Sequence, residues 1–189
     1  MSGMEQELYF LRSSEQYLAK ELLFYAAGLN ETDDSLDNHP YLEQYERNFG
    51  SYSGDIGVYM IVDKKVAGGA WVRVLANGLG HIDHDTPELA FAVKPEYRNQ
   101  GIGTSIMNQL FIEVSKVFAQ MSLSVRDDNP VISLYERLGF IKVDGSDHVD
   151  IAGSTSFKML KVFDEIKVPE EETKHLEEEC LRKSFRQRG

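Results

Sequence analysis

Short apolar blocks separated by polar turns run along most of the chain and predict a sheet of seven strands. Some blocks are continuous, whereas Met121, Leu123 and Val125 alternate with serines, the pattern of a half-buried strand. The predicted strands cover residues 8–11, 56–62, 66–75, 87–93, 121–125, 140–143 and 157–163.

Four segments between these strands have helical spacing instead. Pro40 and Gly50 bound the second of them, and Asn129 and Gly139 bound the fourth as cap residues. The predicted helices cover residues 17–29, 40–50, 101–118 and 130–138. The element order is therefore β-α-α-β-β-β-α-β-α-β-β, and the strand–helix–strand unit from 87 to 125 implies one parallel crossover. We expect an α+β fold, with a mixed, mostly antiparallel sheet flanked by helices.

Residues 164–189 differ from the rest of the chain in composition. Glutamates cluster at 170–172 and 177–179, and arginine and lysine dominate the end, which suits the dipole of a helix. We predict one domain, 1–163, followed by a charged helical extension, 164–189, that packs on the body or on a second copy of the chain. A homodimer is thus one expectation, and a frayed tail is the alternative.

The charge of the chain bears on its partners, and its cysteine content bears on its compartment. Against 31 Asp and Glu stand 20 Lys and Arg, which gives a net charge of −11. Nucleic acid and anionic membrane surfaces are therefore not expected as partners, whereas a cationic acceptor is favoured. The single cysteine, Cys180, cannot form an internal disulfide, and neither a signal peptide nor a long apolar run is visible. We expect a cytoplasmic protein.

Residues 93–104 have the sequence pattern of an anion-binding site. A strand ends, a turn carries Gly101 and Gly103, and a long amphipathic helix begins. The first backbone N–H groups of that helix lack intrahelical acceptors and lie at the positive end of its dipole, which makes a site for a phosphate or pyrophosphate. Arg98 adds a positive charge. The sequence has no P-loop and no complete GxGxxG motif, so the glycines alone fit a plain strand-to-helix turn equally well.

Three consecutive segments together resemble the GNAT superfamily of N-acetyltransferases. They are the strand and turn of residues 88–97, the Arg98-x-x-Gly101-x-Gly103 signature, and the segment 129–140 with its Leu-Tyr-x-x-x-Gly-Phe ending. Signature-like residues span about 87–140, and the element order extends the resemblance to about 8–163.

The resemblance implies an acetyl-CoA site. The backbone of Phe91, Ala92 and Val93 would pair with the pantetheine arm, and Asn129 would bond the same substrate near its pantetheine end. The pyrophosphate would lie on Arg98, Asn99, Gln100, Gly101, Ile102, Gly103 and Thr104. Many members place the Asn seven residues before the Tyr, but here Asp128 holds that position and Asn129 is six residues away. Asn129 is therefore also readable as a simple helix cap.

Acetyl transfer to an amine needs a base and an acid. A protonated alkylamine has a pKa of about 10.4 and must lose a proton before it attacks, and the departing thiolate must gain one. The resemblance points to Tyr135 as the acid and Glu88 as the base, with a solvent-exposed strand end as the alternative for Glu88. His81, Asp83, His84 and Asp85 are too few and too bunched for a metal motif, so no metal is expected.

The leading expectation is an acetyl-CoA-dependent N-acetyltransferase acting on a primary amine of a small molecule or peptide. The alternatives are a CoA-binding sensor or interaction module without catalysis, and an acyltransferase that uses another acyl donor or an alcohol acceptor. The acidic segment 14–49, with Asp33, Asp34 and Asp37, favours a cationic acceptor, although a solvated acidic face explains the same pattern.

Overall fold

The computed structural model describes residues 4–32, 34–150 and 153–164. The predicted extension 164–189, apart from its first residue, and Cys180 lie outside the described residues, as does Asp33. Within these described ranges, eight strands form one sheet: β1 (Gln6–Phe10), β2 (Ile56–Val62), β3 (Lys65–Arg73), β4 (Glu88–Val93), β5 (Gln120–Arg126), β6 (Ile141–Lys142), β7 (His148–Val149) and β8 (Thr155–Val162). The helices are α1 (Gln16–Ala26), α2 (Ile102–Ser115) and α3 (Ile132–Arg137).

The sheet is antiparallel except at its centre. Its order is β1-β2-β3-β4-β5-β8-β6, with β7 paired to β8. The β4 and β5 strands are parallel neighbours, joined through α2, which confirms the predicted crossover. The predicted fold class is confirmed, although β7 was not expected. It pairs over only two residues, so it leaves too short a pattern in the sequence.

Helices cover the two faces of the sheet with separate cores. On one face, α2 and α3 pack against alternate residues of the central strands, including Leu89, Phe91, Met121 and Leu123. On the opposite face, α1 packs against the residues between them, such as Ala90 and Ala92. The alternation of β4 side chains between the two cores follows from the two-residue period of a strand.

The predicted helix at 40–50 is wrong. A 3₁₀ helix, Pro40–Tyr45, stands there, followed by turns. Side chains of β3 donate hydrogen bonds to backbone carbonyls that would accept from N–H groups within an α-helix. The Trp71 indole N–H donates to the Tyr45 carbonyl at 2.8 Å, and Arg73 donates to the carbonyls of Gln44 and Arg47. These bonds fix the segment as an irregular cover over the end of β3.

No helix in the part of the chain that the structure describes is long and apolar enough to cross a membrane.

Candidate active site

A gap opens between β4 and β5 at the centre of the sheet. The two strands are bridged at one point, where Glu88 pairs with Ser122 and the Ser122 N–H donates to the Pro87 carbonyl at 3.0 Å. Beyond Glu88, β4 continues to Val93 with no register partner on β5 among the described residues. The strands therefore leave a stretch of β4 backbone free to bind an extended ligand.

Backbone alternation decides which β4 groups face the gap. The Lys94 N–H donates toward β3, to the Ala67 carbonyl at 2.8 Å. Successive residues of a strand direct their backbone N–H and C=O groups to opposite sides. Phe91 and Val93 therefore direct these backbone groups toward β5, and Ala92 directs its own toward β3. Of the three predicted pantetheine residues, Phe91 and Val93 thus direct backbone groups to the gap, and the Val93 carbonyl already accepts from Arg98 Nε.

The predicted anion turn lies at the open end of the gap. Gly101 caps α2 with φ +77°, and Asn99 also has positive φ, +58°. The first intrahelical bond runs from the Ser105 N–H to the Gly101 carbonyl, so the N–H groups of residues 102–104 are free to bind an anion. The helix has 14 residues, which gives its N-terminus a full dipole.

Two side chains of the turn stabilise it through hydrogen bonds to backbone carbonyls. The Arg98 Nε donates to the Val93 carbonyl at 3.0 Å, and its Nη1 lies 3.4 Å from Glu31 Oε1 in an exposed ion pair. Gln100 donates to the Glu96 carbonyl at 3.0 Å. The positive charge of Arg98 stays beside the turn, while the free N–H groups belong to the backbone.

Gly103 allows α2 to approach β4 closely. A Cβ at this position would lie 3.0 Å from the Phe91 ring, which is closer than most real Cβ contacts. A Cβ on Gly101 would meet nothing within 4 Å, so glycine is needed there for its backbone angle and not for space.

Asn129 caps the turn before α3. Its Oδ1 accepts from the Val131 N–H at 3.0 Å, and α3 begins at Ile132, two residues later than predicted. Its side-chain amide makes no hydrogen bond among the described residues and is free to donate. Asp128, at the position where many GNAT members place the Asn, is exposed and bound to Arg126.

Tyr135 lies in the core beside the gap. Its ring packs against Phe91 with centroids 6.1 Å apart and against Phe140 at 5.6 Å. Burial raises the pKa of its hydroxyl above the ordinary value, so the group carries its proton throughout the neutral range.

Glu88 is buried at the closed end of the gap, with 3% of its surface exposed, which rules out the solvent-exposed strand end. Its Oε1 accepts from the Tyr45 hydroxyl and from the Gly80 N–H at 2.6 Å. Burial raises the pKa of the carboxyl above its ordinary value, against these two hydrogen bonds and the positive charge of Lys158, which favour the carboxylate.

Two glycines bring the loop after β3 onto this carboxylate. A Cβ on Gly78 would lie 1.8 Å from Glu88 Oε2, and one on Gly80 would lie 3.0 Å from Glu88 Cδ. Lys158 holds the same loop from β8 by donating to the His81 carbonyl at 2.5 Å. The loop therefore covers Oε2, which is buried and has no hydrogen-bond partner among the described residues.

Sequence reasoning missed the groups that surround Glu88. Tyr45 lies 43 residues away in the chain, on the segment expected to be an ordinary helix. Ser122, expected on the exposed side of a half-buried strand, is fully buried at 0% exposure. The signal that could have found it is the polar run Gln120, Ser122, Ser124 beside a strand that begins with Glu88.

An acidic cavity of about 220 Å³ lies between α1 and the turns that follow it. Its lining includes the carboxylates of Asp37, Glu43 and Glu46 and the ammonium of Lys20. None of its lining residues belongs to β4, β5 or α2, so it is separate from the gap. Within residues 4–32, 34–150 and 153–164, no group of three or more His, Cys, Asp or Glu is arranged to hold a metal.

Comparison with known proteins supports the fold. Residues 55–142 match the family model of the GNAT acetyltransferase domain. No curated protein matches the chain. Among solved structures, the GNAT-family acetyltransferase of Streptococcus pneumoniae superposes with a TM-score of 0.63 at 18% identity, over 85% of this chain and 100% of its own.

Two further structures share the fold. The ribosomal-protein-S18-alanine N-acetyltransferase of Escherichia coli has a TM-score of 0.61 at 19% identity, over 87% of this chain and 98% of its own. The yncA protein of Salmonella typhimurium, solved with its cofactor acetyl-CoA, has a TM-score of 0.62 at 18% identity, over 87% of this chain and 97% of its own.

Proposed function

We propose that the chain is a GNAT acetyltransferase that moves an acetyl group from acetyl-CoA directly to a primary amine, because residues 55–142 match the domain model of that family. The observation that carries the proposal is the gap between β4 and β5, which has an open phosphate turn at one end and the buried carboxyl of Glu88 at the other. A strand edge suits the extended pantetheine arm, and the N-terminus of α2 suits the pyrophosphate.

The mechanism needs one base, one oxyanion donor and one acid. Glu88 accepts the proton that the amine loses, and its raised pKa lies closer to neutral pH, where a general base works best. The amine nitrogen then attacks the thioester carbonyl. The Phe91 N–H, which faces the gap, donates to the oxyanion. Tyr135, protonated at neutral pH, gives its proton to the departing thiolate. No acyl-enzyme is required, because the nitrogen attacks directly.

We propose that the acceptor is cationic in the parts remote from its reactive amine. The chain has a net charge of −11, and the acidic cavity beside α1 carries three carboxylates against one ammonium. A negative field concentrates cationic acceptors and speeds their association.

A thiol-release assay with acetyl-CoA over a panel of amines tests the proposal. The panel contains a polyamine, an aminoglycoside, a lysine-containing peptide and a neutral alkylamine. Turnover that is greatest with the cationic amines is expected. Acetyl-CoA binding without turnover on any amine would favour a CoA-binding module, and turnover with other acyl donors or with alcohols would favour a different acyltransferase.

Gly101→Ala is expected to raise KM for acetyl-CoA about tenfold, since forcing an L-residue into the left-handed region costs about 1–2 kcal/mol and displaces the phosphate turn. Gly145→Ala is the matched control, because Gly145 also has positive φ, +71°, and open space around its Cβ. Steady-state kinetics should show the KM change only for Gly101. Equal KM values for both variants would contradict the placement of the pyrophosphate.

Tyr135→Phe is expected to lower kcat about 100-fold, the lower end of the range for a general acid, because a thiolate is already a fair leaving group. The ring contacts with Phe91 and Phe140 persist in the variant, so its melting temperature should change little. The measurement is kcat with saturating acetyl-CoA and amine. An unchanged kcat would remove Tyr135 from the mechanism.

A further inference from the structure

The acidic cavity beside α1 has a buried floor and an exposed rim. Leu23 and Glu46, which are 3% and 8% exposed, form the floor, whereas Asp37 and Glu43 are exposed residues of the rim. The volume of about 220 Å³ is far larger than the about 10–15 Å³ that a single water needs. The cavity therefore has room for a small organic molecule.

The Glu46 carboxylate is buried in this floor without a cationic partner. Its Oε2 accepts from the neutral amide of Gln16 at 3.4 Å, a long hydrogen bond, and its Oε1 accepts none among the described residues. No lysine or arginine in the described part of the chain lies within 4.0 Å of either oxygen. Buried carboxylates are normally paired, because an isolated charge away from water is costly. This carboxylate therefore indicates a cationic ligand.

The cations nearest to the cavity do not neutralise its acids. Lys20 belongs to the lining, but it is exposed and makes no ion pair with any carboxylate of the described residues. Arg47 pairs with Glu43, at 3.6 Å, and with no other acid of the lining. Two carboxylates are thus unpaired within the described ranges, Glu46 at the floor and Asp37 at the rim.

The remaining lining is apolar and consists of Leu23, Leu36 and Pro40. Apolar walls between two carboxylates fit an alkyl chain that carries a positive charge at each end. A metal ion fits less well, because it needs several ligands around one point. No group of three or more His, Cys, Asp or Glu is arranged in that way in the part of the chain that the structure describes.

We propose that the acidic cavity is a binding site for an aliphatic diammonium ion, distinct from the gap between β4 and β5. One ammonium binds Glu46 at the floor, the alkyl chain contacts the apolar walls, and the second ammonium binds Asp37 at the rim. Such an ion has two sources, a separate small amine or the far end of a long polyamine acceptor. The next residue along the chain, Tyr45, bonds Glu88, so one short segment borders both sites.

Titration calorimetry with 1,4-diaminobutane, in the absence of acetyl-CoA, tests the site. The wild type should bind this diamine, and should bind the uncharged butane-1,4-diol much more weakly. Glu46→Gln is expected to weaken diamine binding about 10- to 100-fold, the range for a hydrogen bond to a charged group. Glu136→Gln is the matched control, because Glu136 is an exposed glutamate outside the lining and loses the same charge. Equal affinities of wild type and Glu46→Gln would overturn the proposal.

A second variant tests the sign of the electrostatic effect. Lys20→Met is expected to strengthen diamine binding, because the ammonium of Lys20 repels a cation in the same cavity. Weaker binding by this variant would contradict the site. The titrations are repeated in about 1 M salt, which screens exposed charges far more than buried ones. Diamine binding that disappears there would indicate a solvated acidic surface and would also overturn the proposal.

The Glu88→Gln variant distinguishes the two sources of the ligand. A separate amine loses affinity with Glu46→Gln and keeps it with Glu88→Gln. A long polyamine acceptor, titrated in the same way, loses affinity in both variants, because its other end reaches Glu88. Neither result requires turnover. A diamine bound at Glu46 in a protein that acetylates no amine would support this site and overturn only the proposed function.

Discussion

Glu88→Gln is expected to lower kcat/KM for the amine by about 10²- to 10⁴-fold, the range for loss of a general base. The amide keeps the size of the side chain, and its oxygen still accepts from Tyr45 and Gly80, but it cannot take a proton. The effect is measured by steady-state kinetics at saturating acetyl-CoA. Glu136→Gln is the matched control, because Glu136 is an exposed glutamate on α3 and loses the same charge.

Folding stability separates this catalytic effect from structural damage. The fold raises the pKa of Glu88, so the folded state binds its proton more tightly than the unfolded state. Its contribution to stability is therefore full below the ordinary carboxyl pKa of 4.5 and decreases as pH rises through the folded pKa. The amide of the Glu88→Gln variant does not titrate, so the free energy of unfolding of the variant relative to wild type should increase with pH. Activity that survives in a stable variant would exclude Glu88 as the base.

Arg73→Met is expected to lower the free energy of unfolding by about 3–5 kcal/mol, the usual cost of leaving one partner of a buried ion pair unpaired. Arg73 and Asp55 have side chains 4% and 1% exposed, and they bond at 3.0 and 2.7 Å. Arg73 also satisfies the carbonyls of Gln44 and Arg47. For a chain of this size the melting temperature should fall by about 10 °C.

An exposed ion pair provides the control for this prediction. Arg126 and Asp128 make a similar two-fold contact at 3.0 and 2.5 Å, but their side chains are 60% and 61% exposed. Arg126→Met should therefore have a much smaller effect on urea unfolding, since solvent screens the pair. Equal losses in the two variants would show that burial is not what makes the Arg73 pair important. The Arg73 variant should also lose activity, because the same segment carries Tyr45.

The sheet and its crossover could be predicted because their signals are local. Period-two runs mark the strands, and the bounds 56–62 for β2 agree with the structure. The turn at Gly101 and the α2 helix likewise depend on consecutive residues, so the sequence predicts them. By contrast, the 3₁₀ helix Pro40–Tyr45 depends on side chains of Trp71 and Arg73, which are far away in the sequence. Helical spacing alone could not reveal that these two side chains bind the carbonyls of the segment.

The candidate base was found from the sequence, but its surroundings were not. Glu88 stands at a strand start that the family resemblance singles out. Its hydrogen bond to Tyr45 joins residues 43 apart, and its bridge to Ser122 depends on strand register. Neither contact has a periodic signal. Ser122 and Ser124 both fit the pattern of a half-exposed strand, but only Ser122 pairs with Glu88 and is fully buried.

A crystal structure with bound acetyl-CoA tests the central claim most directly. The pyrophosphate oxygens should lie within about 3.2 Å of the backbone N–H groups of residues 102–104. The pantetheine arm should pair with the free edge of β4, and the thioester carbonyl should accept from the Phe91 N–H. A pyrophosphate bound away from the Gly101 turn, or an arm that leaves this edge of β4 unpaired, would contradict the proposed site.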